Sequence, residues 1–287
     1  MGAGDGSGRM TRSARLALAG FGAATALAAL PAAAAAATTT SSNWAGYAVG
    51  PKSKTTRLAR VYGSWVVPQG TCTPGSSGYS ATWVGLGGFK RSSQSLEQAG
   101  TEFDCKPSGE PVYSAWYELV PAAGRTINMT VRPGDQIDAA VTVTGTHVTI
   151  ALIDRTRGTT FEKTLTMRTP DVSSAEWIVE APSECNSSGQ CAQLPISNFG
   201  TVAFKNAYVM TARGRSVAAG SAALSRTKIE LSQDYQRYRF AAESSAAGAS
   251  PSDLSGDRRS FSVTYQEQTQ PQSSRPRQFP GGPPPPY

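Results

Sequence analysis

The stretch YSATWVGLGGFKRSSQSLEQAGTEF, residues 79–103, decides the fold. It reads as two strands, 79–89 and 95–103, joined by a short polar turn. In the second strand, alternation puts Leu96, Gln98, Gly100 and Glu102 on one face and Glu97, Ala99, Thr101 and Phe103 on the other. Working outward, strands follow at PVYSAWYELV (111–120), INMTV (127–131), QIDAAVTVTG (136–145), HVTIALIDR (147–155) and TFEKTLTM (160–167). AEWIVEA (175–181), TVAFKNAYVM (201–210), TKIELSQ (227–233) and FSVTYQ (261–266) extend the series downstream, and RVYGSWVV (60–67) precedes it. Turn signals at RPGD (132–135), TGT (144–146) and RTRG (155–158) separate several of them. Many short Val-, Thr- and Tyr-rich strands with such turns predict an all-β sandwich of two antiparallel sheets. The Ala-, Ser- and Gly-rich stretch 240–256 reads as a long loop.

The ends differ from the middle. Arg9, Arg12 and Arg15 precede the apolar run LALAGFGAATALAAL (16–30) and the small-residue exit PAAAAAA (31–37). That is the pattern of a removable export signal, so residues 1–37 are expected to be cleaved near Ala37 or Thr38 and the protein secreted. Residues 1–9 are Gly-rich and lack signal character, so Met10 is an alternative start. No later segment is apolar for long enough to span a bilayer. QEQTQPQSSRPRQFPGGPPPPY (266–287) is rich in Pro and Gln, with little to bury, and 267–287 is expected to be a disordered tail. Residues 38–266, roughly 225 in all, are enough for one large core.

Composition narrows the chemistry. The formal net charge is +7, dispersed rather than gathered into a basic run with interleaved aromatics, so nucleic acid is not an expected partner. The chain holds one histidine, His147, beside a Gly turn in TGTHVTI. Catalysis of the Ser-His-Asp or Cys-His kind would have to rest on it, and an edge-strand position suits it better. A histidine-based zinc site fails on the same count, and neither metal nor cofactor is expected. Hydrolysis would have to use carboxylates, amides and water. In an exported chain the four cysteines imply two disulfides. Three pairings are possible; the close spacing favours Cys185–Cys191, leaving Cys72–Cys105.

On AEWIVEA, alternation groups Glu176, Ile178 and Glu180 against Trp177 and Val179. With the Trp and Val packed between sheets, Glu180 is a carboxylate held on a strand, facing away from them. Gly100, beside Gln98, is expected to leave room for a ligand backbone.

At these residues the sequence resembles the glutamic peptidase (eqolisin) family. The matching pieces run in order: SNWAGYAV (42–49), GSWVVP (63–68), TWVGLGGF (82–89), LEQAG (96–100), SAWYELVP (114–121), AEWIVE (175–180) and NFGTVAF (198–204). Final strands near IELSQ and FSVTYQ also fit, so the resemblance covers about 43–266. The resemblance implies two antiparallel sheets of the concanavalin or jelly-roll type, one of them curved into a concave substrate cleft. It implies a secreted endopeptidase of bacterial type, acting on polypeptides at acidic pH; a monomer is the default expectation. The catalytic pair falls on Gln98 and Glu180, with Glu176 in support. Trp83, Trp116, Glu118 and Glu102 are implied to line the cleft. In that scheme ionised Glu180 takes a proton from water, and the Gln98 amide steadies the oxyanion. Two positions depart from the pattern: fungal members often carry Asp where Gly87 and Glu102 stand. Two other readings of the same residues are a glycoside hydrolase using a carboxylate pair such as Glu118 and Glu180, and a non-catalytic module stacking Trp83 and Trp116 on a sugar or peptide.

Overall fold

The computed structural model describes residues 36–186, 188, 191–233 and 247–267. Among them there is no helix. The strands, in chain order, are β1 (Ala37–Ser41), β2 (Trp44–Pro51), β3 (Leu58–Val66), β4 (Gly78–Gly87), β5 (Leu96–Cys105) and β6 (Pro111–Val120). Next come β7 (Arg125–Ile127), β8 (Gln136–Thr144), β9 (His147–Asp154), β10 (Thr159–Thr166), β11 (Ala175–Glu180), β12 (Ser183–Cys185) and β13 (Cys191–Gln193). The last are β14 (Thr201–Thr211), β15 (Ser216–Ala218), β16 (Leu224–Ser232), β17 (Ala247–Pro251) and β18 (Phe261–Glu267).

Period-2 burial shapes the first half. On β9 Val148, Ile150 and Leu152 are buried while His147, Thr149 and Ala151 are not. Ile137, Ala139 and Val141 of β8 and Val61 and Trp65 of β3 continue that inner face. In the other half Tyr47, Trp177, Val84, Ala99, Phe103 and Tyr117 supply the opposing one, and both sets pack into a single apolar cluster. Indoles stitch the halves together. Trp65 Nε1 donates to Thr101 Oγ1 at 3.0 Å, and Trp177 Nε1 donates to the Tyr62 carbonyl at 2.8 Å. Gly63 makes room for the Trp177 ring: a Cβ there would stand 2.7 Å from its Cδ1. Each fully buried ring of this size contributes on the order of 3 kcal/mol.

Two separate sheets were expected, but hydrogen-bonded neighbours run without a break. The order is β10-β9-β8-β3-β14-β18-β17-β16-β2-β11-β4-β5-β6-β7, with β1 beside β16 and β15 beside β14. The result is one large, nearly closed, jelly-roll-like sheet, antiparallel except where β1 pairs parallel with β16. Strands β14, β18, β17 and β16 form the bridge. The β17 segment AGASP lies within the expected long loop 240–256. It lacks the β-branched and aromatic residues that mark a strand, and pairing with β16 on one side and β18 on the other makes it one. The strand expected over 127–131 stops at Ile127, where the Met129 amide turns back to the Ile127 carbonyl at 2.7 Å.

Cys72 and Cys105 are disulfide-bonded, tying the segment after β3 to the end of β5. Cys185 and Cys191 face each other in the backbone register of β12 and β13; the Cys185 side chain lies outside the described residues, as do 1–35 of the expected leader and 268–287 of the expected tail. The Cys72–Cys105 crosslink spans a sequence separation of 33, and the paired substitution C72A/C105A should lower unfolding free energy by about 2–4 kcal/mol. Urea denaturation with and without the crosslink measures it; an unchanged midpoint would mean that the crosslink does not restrain the unfolded chain.

Candidate active site

Across β2, β11, β4, β5 and β6 the register sets three rows on the face turned away from the main core. They are Trp44–Glu180–Ala81–Glu102–Ser114, Gly46–Ile178–Trp83–Gly100–Trp116 and Ala48–Glu176–Gly85–Gln98–Glu118. The six side chains expected from the sequence, Gln98, Glu180, Trp83, Glu118, Glu102 and Trp116, therefore share one face. A second apolar cluster built on Trp83, Trp116, Ile178, Leu96 and Ile229 floors it, with Trp44 packed against it.

Glu180 closes β11. Its Oε2 accepts from Trp83 Nε1 at 2.8 Å and its Oε1 from Asn43 Nδ2 at 3.1 Å. Burial nevertheless pushes its carboxyl up to about 7; the indoles of Trp83 and Trp44 and the Asn43 amide pull the other way, and the Glu118 charge adds to the rise. Trp44 Nε1 is buried and makes no hydrogen bond of normal geometry, although its N–H is close enough to favour the charged carboxylate. The Trp44 ring meets Trp83 edge-on at 5.1 Å.

Gln98 is nearly fully buried. Its Nε2 donates to Glu118 Oε2 at 2.7 Å, while its Oε1 is buried without a partner. Glu118 thus fixes which way the amide faces: one N–H is used, and the second N–H and the carbonyl oxygen remain to be filled. Burial raises Glu118, against the Gln98 amide and the Gly124 backbone N–H. Glu102 accepts from Ser114 Oγ at 2.9 Å; burial raises it too, as does the Glu118 charge. Two residues on, burial and the Glu102 charge push Asp104 up to about 7.

Glu176 shares the register row of Gln98 and Glu118 but does not join them. It is fully buried, neither of its carboxyl oxygens makes a hydrogen bond of normal geometry, and burial holds it well above the usual carboxylate range. Its acidic neighbours are Asp171 and Glu97, not Glu180. Glu97 is pushed up to about 8, chiefly by burial, and its Oε1 accepts the Asp171 amide at 3.1 Å. Asp171 also takes the Ser93 hydroxyl and abuts Gly87. With φ at 81° and an added Cβ only 2.6 Å from Asp171 Cβ, Gly87 has no room for the Asp that the resemblance led one to expect there. Gly100 needs a different reading from the one its sequence suggested. A Cβ there would lie 2.0 Å from the Thr82 carbonyl oxygen, so the missing side chain lets β4 approach rather than leaving a gap for a ligand.

Sequence reasoning missed Asn43 and Trp44, both inside the quoted SNWAGYAV motif. Among the described residues, no group of three His, Cys, Asp or Glu side chains is placed to hold a metal ion.

The peptidase A4 family matches residues 42–250. The chain belongs to the peptidase A4 family. It is a glutamic-type endopeptidase. Scytalido-glutamic peptidase, solved with a transition state analog inhibitor, is 25% identical with a TM-score of 0.59, over 78% of this chain and 98% of that one. Aspergilloglutamic peptidase from Aspergillus niger is 25% identical with a TM-score of 0.50, over 66% and 99%. SCP-B, an eqolisin solved with the tripeptide Ala-Ile-His, shares the fold at 24% identity and a TM-score of 0.55, over 78% and 98%. No curated protein matches the chain. The glycosidase and binding-module readings give way to this membership.

Raised carboxyls in this A4 peptidase set its stability against pH. A carboxyl whose folded pKa exceeds its unfolded value contributes stability that is full below the unfolded pKa and is lost as pH rises through the folded one. With Asp104 and Glu180 near 7 and Glu97 near 8, the urea midpoint should fall from pH 5 to about pH 8. Glu97→Gln should flatten the upper part of that fall. A midpoint that holds or rises over this range would contradict the burial of these groups.

Proposed function

We propose that this glutamic peptidase is a secreted enzyme cutting polypeptides at acidic pH, with Glu180 and Gln98 as its catalytic pair. The observation that carries the reading is the state of Glu180. Each of its oxygens accepts an N–H donor, yet burial holds its carboxyl at about 7.

A raised carboxyl supports a different order of events from the one that the resemblance implies. At pH 4 a group with a pKa near 7 is ionised in about one site in a thousand, too few for a resting carboxylate base. Glu180 therefore enters as the acid. Its proton passes to the scissile carbonyl oxygen while water attacks the carbon, and its other oxygen takes a proton from that water. The free N–H of Gln98 steadies the oxygen as it gains charge, and Gln98 Oε1 holds the attacking water. In the second half, Glu180 gives its proton to the amide nitrogen and takes one from a hydroxyl as the C–N bond breaks. Acid and amine leave, and Glu180 is protonated again. Asn43 and Trp83 stabilise the carboxylate that forms within each half.

Trp116, Glu118 and Glu102 line the substrate side, which we read as the concave cleft of a sandwich-like jelly roll; Trp83, expected there too, is fully buried in its floor and acts on Glu180 instead. Residues 1–37 are read as the leader, ending where β1 begins at Ala37, 38–266 as the peptidase domain and 267–287 as a tail. The enzyme is read as a monomer with no nucleic acid or membrane partner once mature.

Denatured casein digestion tests the pair. Glu180→Gln and Gln98→Ala, both shown to fold, should each lose about a thousandfold or more in kcat/KM. For the unaltered enzyme kcat/KM should fall as pH rises above about 7. Activity retained in either variant, or a rate still climbing at pH 8, would overturn the assignment.

A further inference from the structure

Between β1 and β2 the chain makes a four-residue turn, Ser41–Trp44, whose hydrogen bonds converge on one side chain. Ser41 Oγ donates to Asn43 Oδ1 at 3.0 Å and accepts from the Asn43 and Trp44 amides at 3.3 and 3.1 Å. A hydroxyl has one hydrogen to give and two lone pairs to fill, so Ser41 is fully used and cannot turn. Asn43 is held in consequence: with Oδ1 committed to Ser41, its NH₂ is the end that faces Glu180 Oε1. The reverse orientation would set two oxygens against each other. The Asn43 carbonyl accepts the amide of Ala181, the residue after Glu180, at 2.8 Å, so the turn holds both the backbone and the side chain at the end of β11. Trp44 then packs its ring against Trp83, which holds the other oxygen.

We propose that the turn Ser41–Trp44 is a positioning element for Glu180, acting through a Ser41–Asn43 relay on Oε1 and through Trp44 packed against Trp83 on Oε2. The inference rests on the catalytic role read for Glu180. The elements packed against that carboxyl bring Asn43, Trp44 and Trp83 as donors, with Glu118 the acidic neighbour that acts on it. All three donors favour the charged form, so their loss makes Glu180 a weaker acid. They also set the direction in which its proton leaves. Upstream, Ser41 ends β1, the strand paired parallel to β16 with Ser41 opposite Leu231. Docking of that strand is thereby coupled to the geometry of the acid.

The pH dependence of kcat and KM on a peptide substrate, for Asn43→Leu, Ser41→Ala, Trp44→Phe and Glu180→Gln, separates the possibilities. Asn43→Leu should lower kcat about tenfold to a hundredfold at acidic pH, leave KM little changed, and move the falling limb of the profile to higher pH. Ser41→Ala should do the same to a smaller degree, and it carries the test if Asn43→Leu does not fold. Trp44→Phe keeps an aromatic ring against Trp83 but removes the indole N–H, and it too should move the limb to higher pH. Activity lowered equally at every pH, with the limb unmoved in Asn43→Leu or Ser41→Ala, would overturn the positioning role while leaving Glu180 as the acid. Activity retained in Glu180→Gln would remove both.

Discussion

A carboxyl group that loses its water but meets no cation keeps its proton, and this site is organised around that constraint. Among the described residues, no lysine, arginine or histidine occupies the rows that carry Glu180, Gln98, Glu102 and Glu118. The compensation available is a hydrogen bond from an indole, an amide or a hydroxyl. Such donors restrain the rise of each carboxyl without reversing it. The outcome is an acid still protonated in weakly acidic water, with the partners of its conjugate base already in place. A single arginine in the same rows would undo this by holding Glu180 ionised.

A sheet supplies that arrangement because its two faces are independent. On β11, Trp177 and Val179 join the main core, while Ile178 and Glu180 face the second apolar cluster. Adjacent residues thus serve the core and the candidate site separately, and strand pairing keeps them in fixed relation. Glycines appear where that pairing is tightest. Gly63 yields to Trp177 and Gly100 to the backbone of β4, so the sheet can carry large indoles without being pushed apart.

Much of this was legible in the sequence, for identifiable reasons. Alternation in SLEQAGTEF and AEWIVEA assigned Gln98, Glu102 and Glu180 their faces, and strands β8 and β9, dense in β-branched residues, could be read directly. The ordered motifs then singled out Gln98 and Glu180 among many polar strand residues. Other features depend on neighbours far away in the chain. Strand β17 has nothing in AGASP to announce it and exists through β16 and β18. Whether the strands divide into two sheets or close into one is decided by those same bridging pairs. Asn43 reaches Glu180 across 137 positions, a contact invisible to local periodicity. The protonation of Glu180 lay further still from the sequence, since it follows from burial and from what is missing around the group.

The buried acids also change how the folded protein behaves as a charged particle. A formal count of +7 treats every Asp and Glu as ionised at neutral pH. Glu97, Glu102, Asp104, Glu118, Glu176 and Glu180 are all raised by burial. In mildly acidic surroundings the native molecule is therefore more cationic than its unfolded chain. It is drawn more strongly to negatively charged surfaces in the acid range and released from them as the medium turns neutral.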